Sequence, residues 1–189
     1  EDPYLGSLVA KARVKGFQGD DLNDISTIVA CAKHFAGYGF SEAGRDYNTT
    51  DFNHYTLHNT IMPPFKAAVD AGVRTFMNSF NTLDEIPATG HKYIQRDVLK
   101  GDWKFDGFIV SDWGSIGEMI PHGYSKDLKS AAKFAILAGS DMDMMSSAYI
   151  KHLKTLLDEK EINISIIDDA VQRILSLKYD LGLFSDPFM

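Results

Sequence analysis

Apolar and polar positions follow two alternating rhythms along this chain. Short runs rich in β-branched or aromatic residues read as strands at 27–32, 73–79, 106–110 and 140–144, the last being the shortest. Between them the apolar residues recur at helical spacing. Residues 4–15 carry Leu5, Leu8, Val9 and Ala12 on one face, and Pro63-Pro64 opens a helix through Phe65, Ala68 and Val69 that stops at Gly72. Two further helices are predicted over 91–99 and 127–137, the second closed by Gly139. The chain finishes with helices over 148–157 and 165–181. Ser165 with Asp168 suits a capping box for the last one, Gly182 suits its stop, and Val171, Ile174, Leu175 and Leu181 form its apolar stripe. About four parallel β/α units result, which is half of an eight-stranded barrel, so the predicted class is α/β with a partial TIM-type (β/α)8 barrel.

Composition narrows the function classes. With 189 residues and 44% hydrophobic content the chain supports one compact core, as one domain or part of one, and no repeat, low-complexity tract or linker divides it. A formal charge of −7 argues against nucleic acid or an anionic membrane as partner, because both require clustered Lys and Arg. No apolar run reaches membrane-spanning length. Cys31 is the single cysteine, and its place in an apolar run predicts a small buried residue.

Polar groups at the strand ends carry the candidate chemistry. The run Gly107-Phe108-Ile109-Val110 ends in Ser111-Asp112-Trp113-Gly114, delivering a carboxylate beside an indole face to the end of a strand. Carboxyl ends of buried parallel strands open into the ligand crevice, which suits a sugar site. Asp112 is therefore either a catalytic carboxylate or the N-cap of the helix that follows. Lys33-His34-Phe35 ends the first run, and a buried ammonium there serves either a ligand or a structural hydrogen-bond node. Trp113 can cover an apolar sugar face and Met77 can fill the wall beside it; core packing is the alternative for both. Arg45, in a glycine-bordered loop, either reaches a ligand or braces the loop through Asp46 or Glu42. Asp141 and Asp143 fit structural strand-end roles, and the remaining histidines show no ligand spacing, so no metal and no cofactor are predicted.

Taken in order, Lys33-His34-Phe35, Gly44-Arg45-Asp46-Tyr47-Asn48, Met62-Pro63-Pro64-Phe65 and Ser111-Asp112-Trp113-Gly114 resemble the β-glucosidases of glycoside hydrolase family 3. The resemblance runs from Glu1-Asp2-Pro3-Tyr4-Leu5-Gly6 to Lys178-Tyr179-Asp180-Leu181-Gly182-Leu183-Phe184, making residues 1–189 the C-terminal half of that family's catalytic barrel. It implies Asp112 as the nucleophile of a retaining glycosidase, with Lys33, His34, Arg45, Met77 and Trp113 binding a β-linked glucoside or oligosaccharide. In retaining enzymes a second carboxyl, roughly 5–5.5 Å from the first, protonates the leaving oxygen. In the family's two-domain members that group lies in a domain absent here, so an isolated chain is expected to be inactive. The Asp-Ser-His loop of hexosaminidase-type members is missing, which favours the two-domain type. Phe80 stands where many members carry Tyr.

Two competing readings remain, a noncatalytic carbohydrate-binding half-barrel and β-xylosidase-type specificity. A half-barrel also leaves unpaired sheet edges, expected at 27–32 and 140–144, for a second copy or the missing barrel half to cover. A periplasmic or secreted location is implied by the resemblance alone.

Overall fold

A computed structural model describes residues 2–188. Helix α1 (Pro3–Gln18) leads into strand β1 (Cys31–Phe35), a two-residue β2 (Thr49–Thr50), a short α2 (His54–Thr56) and α3 (Met62–Asp70). Strands β3 (Thr75–Asn78), β4 (Thr82–Leu83) and β5 (Ile86–Pro87) follow, then a π-helical segment over Tyr93–Asp102 and strand β6 (Phe108–Val110). The rest is helical: α4 (Ser115–Glu118), α5 (Leu128–Ala138), α6 (Ala148–Asp158) and α7 (Ile164–Asp180).

The three longer strands form one parallel sheet in the order β1-β3-β6, with Thr75 in register with Cys31 on one side and Phe108 on the other. The fourth predicted strand is reduced to a single parallel bridge from Val110 to Met142. It still runs beside β6, because the Asp141 and Met142 amides donate to the Ile109 carbonyl and Ser111 N donates to Met142 O at 2.9 Å. Three strands and a bridge thus stand where about four units are predicted. A smaller sheet has the order β2-β4-β5, with β2 and β4 parallel and β4 and β5 antiparallel.

The first strand begins later than its apolar run suggests. Residues 27–30 lie outside it, with Ile28 62% exposed, and Lys33 and His34 are inside the strand rather than after it. Pairing decides this, since β1 forms where Cys31, Ala32 and Phe35 meet Thr75, Phe76 and Asn78. Cys31 is exposed rather than buried, because β1 is an edge strand of the described sheet. Helix α1 also buries a different face from the one predicted. Leu5, Leu8 and Val9 are exposed, while Val14 and Gln18 are buried. Gln18 latches the helix end between two strands: its amide donates to Gly72 O at 2.8 Å, and its carbonyl accepts from Ala30 N and Arg74 N, both at 3.2 Å.

Pro63 and Pro64 stand in the first turn of α3, as predicted, but α3 continues directly from a preceding helical turn. Neither has an N–H to continue the ladder, and a π-helical turn over Leu57–Ile61 precedes them, with Met62 N donating to Leu57 O. Helix α5 has the predicted length, capped by Asp127 and Ser130 and ended by Gly139 at φ 115°. The N-cap of α7 is Asn163, which accepts from Ser165 N, so the Ser165–Asp168 capping box is not formed. On α7 the buried residues are Ala170 and Leu177, whereas Val171 and Leu175 are exposed.

Two apolar clusters hold these layers together. In one, Phe35 packs edge-on against Phe65 and Phe76 at 5.1 and 5.2 Å, joined by Met62, Ile94, Leu99 and Ile109. The other gathers Ile116, Met119, Ala132, Ala135, Ile136, Leu156 and Ala170 between α4, α5, α6 and α7. Arg173 pins α7 to the start of β6, donating to the carbonyls of Phe105 and Gly107 at 2.9 and 3.0 Å. Gly107 must be glycine, since a Cβ there would lie 2.0 Å from the Arg74 carbonyl oxygen.

A buried ion pair anchors the same strand. Lys100 Nζ contacts both Asp141 oxygens at 2.6 and 2.8 Å and the Gly139 carbonyl at 2.8 Å, and Asp141 Oδ2 accepts Ile109 N at 2.8 Å. Burial pushes Lys100 down to about 8 and Asp141 upward, so each charge is costly here without the other. We predict that Asp141→Ala lowers the unfolding free energy by about 3–5 kcal/mol, because Lys100 is left buried and unpaired. Denaturant unfolding checks this, and Lys100→Met with Asp141→Leu recovers most of the loss.

Candidate active site

Strand β6 ends at Val110, and the chain continues as Ser111-Asp112-Trp113-Gly114 alongside residues 142–144. Ser111 Oγ donates to Asp112 O at 3.0 Å and accepts Met144 N at 2.8 Å, while Gly114 N donates to Met144 O at 2.7 Å. These bonds fix the backbone on both sides of Asp112. Gly114 then takes φ 71°, a conformation costly for most other residues, and turns the chain into α4.

Asp112 does not cap that helix with its side chain: the N-cap is Gly114, with no side-chain bond. Instead Oδ1 accepts its neighbour's amide, Trp113 N, at 2.7 Å. The other oxygen, Oδ2, is buried and has no hydrogen-bond partner among the described residues. Facing it at 3.5 Å is His34 Nε2 from β1. The nearly buried carboxylate therefore keeps one oxygen free, and an imidazole stands on that side. Burial lowers the His34 pKa most, and Lys33 adds to that, while Asp112 and Asp46 oppose it.

The other predicted residues surround this pair unequally. Met77 is half-buried in β3, in register with Val110, and so lies one strand over from Asp112. Trp113 follows Asp112 directly and is 62% exposed, leaving its indole uncovered. Lys33 is exposed on the edge strand, not buried. Arg45 is exposed and makes no ion pair among the described residues; the expected partner Asp46 instead accepts the hydroxyl of Tyr38. Asp141 and Asp143 are structural: one holds Lys100, and the other accepts the amides of Ser146, Ala148 and Tyr149 at the start of α6. His54 and His58 gather with Tyr93, whose hydroxyl is 2.8 Å from His58 Nε2.

Sequence reasoning named Phe80 and Tyr47 only within motifs and missed Tyr38 and Glu118. Tyr38 sets its ring 5.4 Å from that of His34, and Phe80 lies between Tyr38 and Tyr47 at 6.0 and 4.6 Å. Glu118, on α4, has its Oε2 buried without a partner among the described residues, and burial, then the charge of Asp112, raises its pKa. Their spacing along the chain carries no periodic signal. Only the Tyr38-Gly39 and Asp46-Tyr47 pairs flanking the glycine-rich loop could have pointed to them.

The chain as a whole is similar to known proteins. Residues 1–177 match the family model of the glycosyl hydrolase family 3 N-terminal domain. A periplasmic β-glucosidase of Salmonella typhimurium is 41% identical over 188 residues, covering 100% of this chain and 25% of that protein. A β-xylosidase of Formosa agariphila is 33% identical over 195 residues, covering 97% and 27%. The crystal structure of a β-glucosidase from Listeria innocua in complex with glucose has a TM-score of 0.97 and 46% identity, covering 100% of this chain and 26% of that one. The chain spans about a quarter of the length of the relatives it matches.

The electrostatics yield a direct prediction. Because the negative charge of Asp112 favours the imidazolium, Asp112→Asn lowers the His34 pKa further below its ordinary 6.5. A histidine-selective NMR titration reads this as a midpoint shifted to lower pH, and an unmoved or raised midpoint contradicts the contact.

Proposed function

The chain belongs to glycosyl hydrolase family 3, and from that premise we propose that it supplies the nucleophile half of a retaining β-glucosidase site within a longer protein. One observation carries the reading: Asp112 Oδ2 is buried, unpartnered among the described residues, and opposite His34 at the carboxyl end of a parallel strand. That oxygen attacks the anomeric carbon and forms a covalent glycosyl-enzyme, while a carboxyl outside the described residues protonates the departing oxygen. Water then releases the sugar with net retention. Lys33 and His34 bind sugar hydroxyls, Trp113 covers an apolar face of the ring, Met77 closes the wall and Arg45 reaches the substrate from the loop. On this reading the 189-residue chain alone does not turn over β-glucosides, and its β1 edge is covered by further barrel strands or a second copy. The periplasmic relative supports a periplasmic location, and no described helix is long and apolar enough to cross a membrane.

β-Xylosidase specificity is the second reading, favoured by the relatives of that name. The ratio of kcat/KM for aryl β-glucoside and β-xyloside separates the two.

Asp112→Asn in the longer protein abolishes turnover while the fold stays intact, because the amide is nearly isosteric but does not attack. Azide restores activity to Asp112→Gly, and a 2-deoxy-2-fluoro glucoside labels Asp112 in the wild type. Retention of most activity by Asp112→Asn sinks the assignment. Lys33→Met weakens transition-state binding by about 1.5–3 kcal/mol through loss of a charged hydrogen bond, read as a fall in kcat/KM. An unchanged kcat/KM makes Lys33 structural.

A further inference from the structure

His34 is placed without being tied. Among the described residues no hydrogen bond reaches either ring nitrogen, and Asp112 Oδ2, at 3.5 Å, lies beyond a good one. The terminal torsion of an imidazole is broad, so packing has to set the ring's orientation. Tyr38 is the aromatic neighbour, with its ring 5.4 Å from the imidazole and tilted 58° to it.

Tyr38 is itself held from a distance. Gly37 turns the chain out of β1 at φ 80°, where a Cβ would meet the Phe52 ring at 2.9 Å. The loop then contains two residues other than glycine in the left-handed region, Ala43 at φ 56° and Tyr47 at φ 61°. Such conformations persist where the surroundings over-determine them. Here Ser41 Oγ donates to Tyr38 O at 3.0 Å, Asn48 Nδ2 donates to Glu42 O at 3.1 Å, and Ser41 bridges to Thr50. The outcome of this folding is the bond from the Tyr38 hydroxyl to the Asp46 carboxylate. Phe80 packs against the Tyr38 ring at 6.0 Å, and Tyr47 against Phe80 at 4.6 Å.

We propose that Asp46 and Tyr38 are positioning residues for His34: the Asp46 carboxylate holds the Tyr38 hydroxyl, and the fixed Tyr38 ring keeps the imidazole facing Asp112. This rests on the reading that His34 serves the sugar site beside Asp112. Asp46 acts in a second way, by charge. The groups facing the imidazole are Asp112 from the end of β6, Lys33 on its own strand, Asp46 from the loop and the Tyr38 phenol. Of these, Asp112 and Asp46 favour the imidazolium, while burial and Lys33 oppose it. Asp46, a loop residue, thereby adjusts both the orientation and the charge of His34.

The test uses the longer protein, an aryl β-glucoside, and two near-isosteric variants: Tyr38→Phe, which removes the donor, and Asp46→Asn, which turns a charged acceptor into a weaker neutral one. Each lowers kcat/KM about 10- to 100-fold, in line with a misplaced binding group. Combined, the two losses are less than additive, because the hold that Asp46 exerts runs through Tyr38 while only its charge acts directly. In a His34→Ala background Asp46→Asn has no further effect. Additive losses, or an undiminished effect of Asp46→Asn without His34, overturn the proposal. A histidine-selective NMR titration decides it independently of turnover: Asp46→Asn shifts the His34 midpoint to lower pH, and Tyr38→Phe alters the His34 ring resonances. Unmoved His34 signals in both variants reject the positioning role. If the wild-type enzyme does not hydrolyse the glucoside, the glycosidase reading fails while the titration still decides this one.

Discussion

Everything at the candidate site hangs on one buried carboxylate that is not catalytic. Asp141 accepts hydrogen bonds from Lys100, whose Nζ also donates to the Gly139 carbonyl, and from the amide of Ile109, three residues before Asp112. It thereby locks the π-helical segment, the end of α5 and strand β6 at one point. Among buried ion pairs, those with excellent geometry and further hydrogen bonds offset their desolvation. This one is arranged so that loss of either partner leaves a bare charge inside the sheet. The segment carrying Asp141 makes only a single ladder bridge to β6, so this pair and the Ser111 bonds to Met142 and Met144 do what a full strand would otherwise do.

From that anchor the chemistry of Asp112 follows by subtraction. Backbone bonds occupy the chain on both sides of it, and the amide of Trp113 takes one carboxylate oxygen, so a single oxygen is left unbonded. Parallel register places β3 beside β6 and β1 beside β3, which is how His34 and Met77 reach the same end of the sheet although 34 and 112 are far apart in sequence. A strained loop after β1 adds Tyr38, Asp46 and Tyr47 to that end. The site is therefore assembled from strand ends, which are rigid, and one loop whose shape is over-determined by its own hydrogen bonds.

The elements that local signals specify were legible. Helix α5 carries its own cap at Asp127 and its own stop at Gly139, and the strand around Ile109 is marked by three consecutive large apolar residues. Where pairing with a distant partner decides, the pattern misled. The apolar residues at 27–30 lie outside the sheet, and α1 buries Val14 and Gln18 instead of the stripe through Leu5, Leu8 and Val9.

What the sequence determined by itself is the delivery of an acid to a strand end. The residues that form β6 and the Ser111-Asp112-Trp113-Gly114 turn are contiguous, so their chemistry and geometry are encoded together. Tertiary structure decided which polar groups stay exposed at the candidate site and which are buried in the frame. Two lysines show the difference: Lys33, beside an apolar run, stays exposed on the edge strand, whereas Lys100, inside a helical segment, is buried on Asp141. Nothing local distinguishes them, because Lys100 is buried by a partner 41 residues away, while Lys33 stays exposed by the place of its strand at the sheet edge.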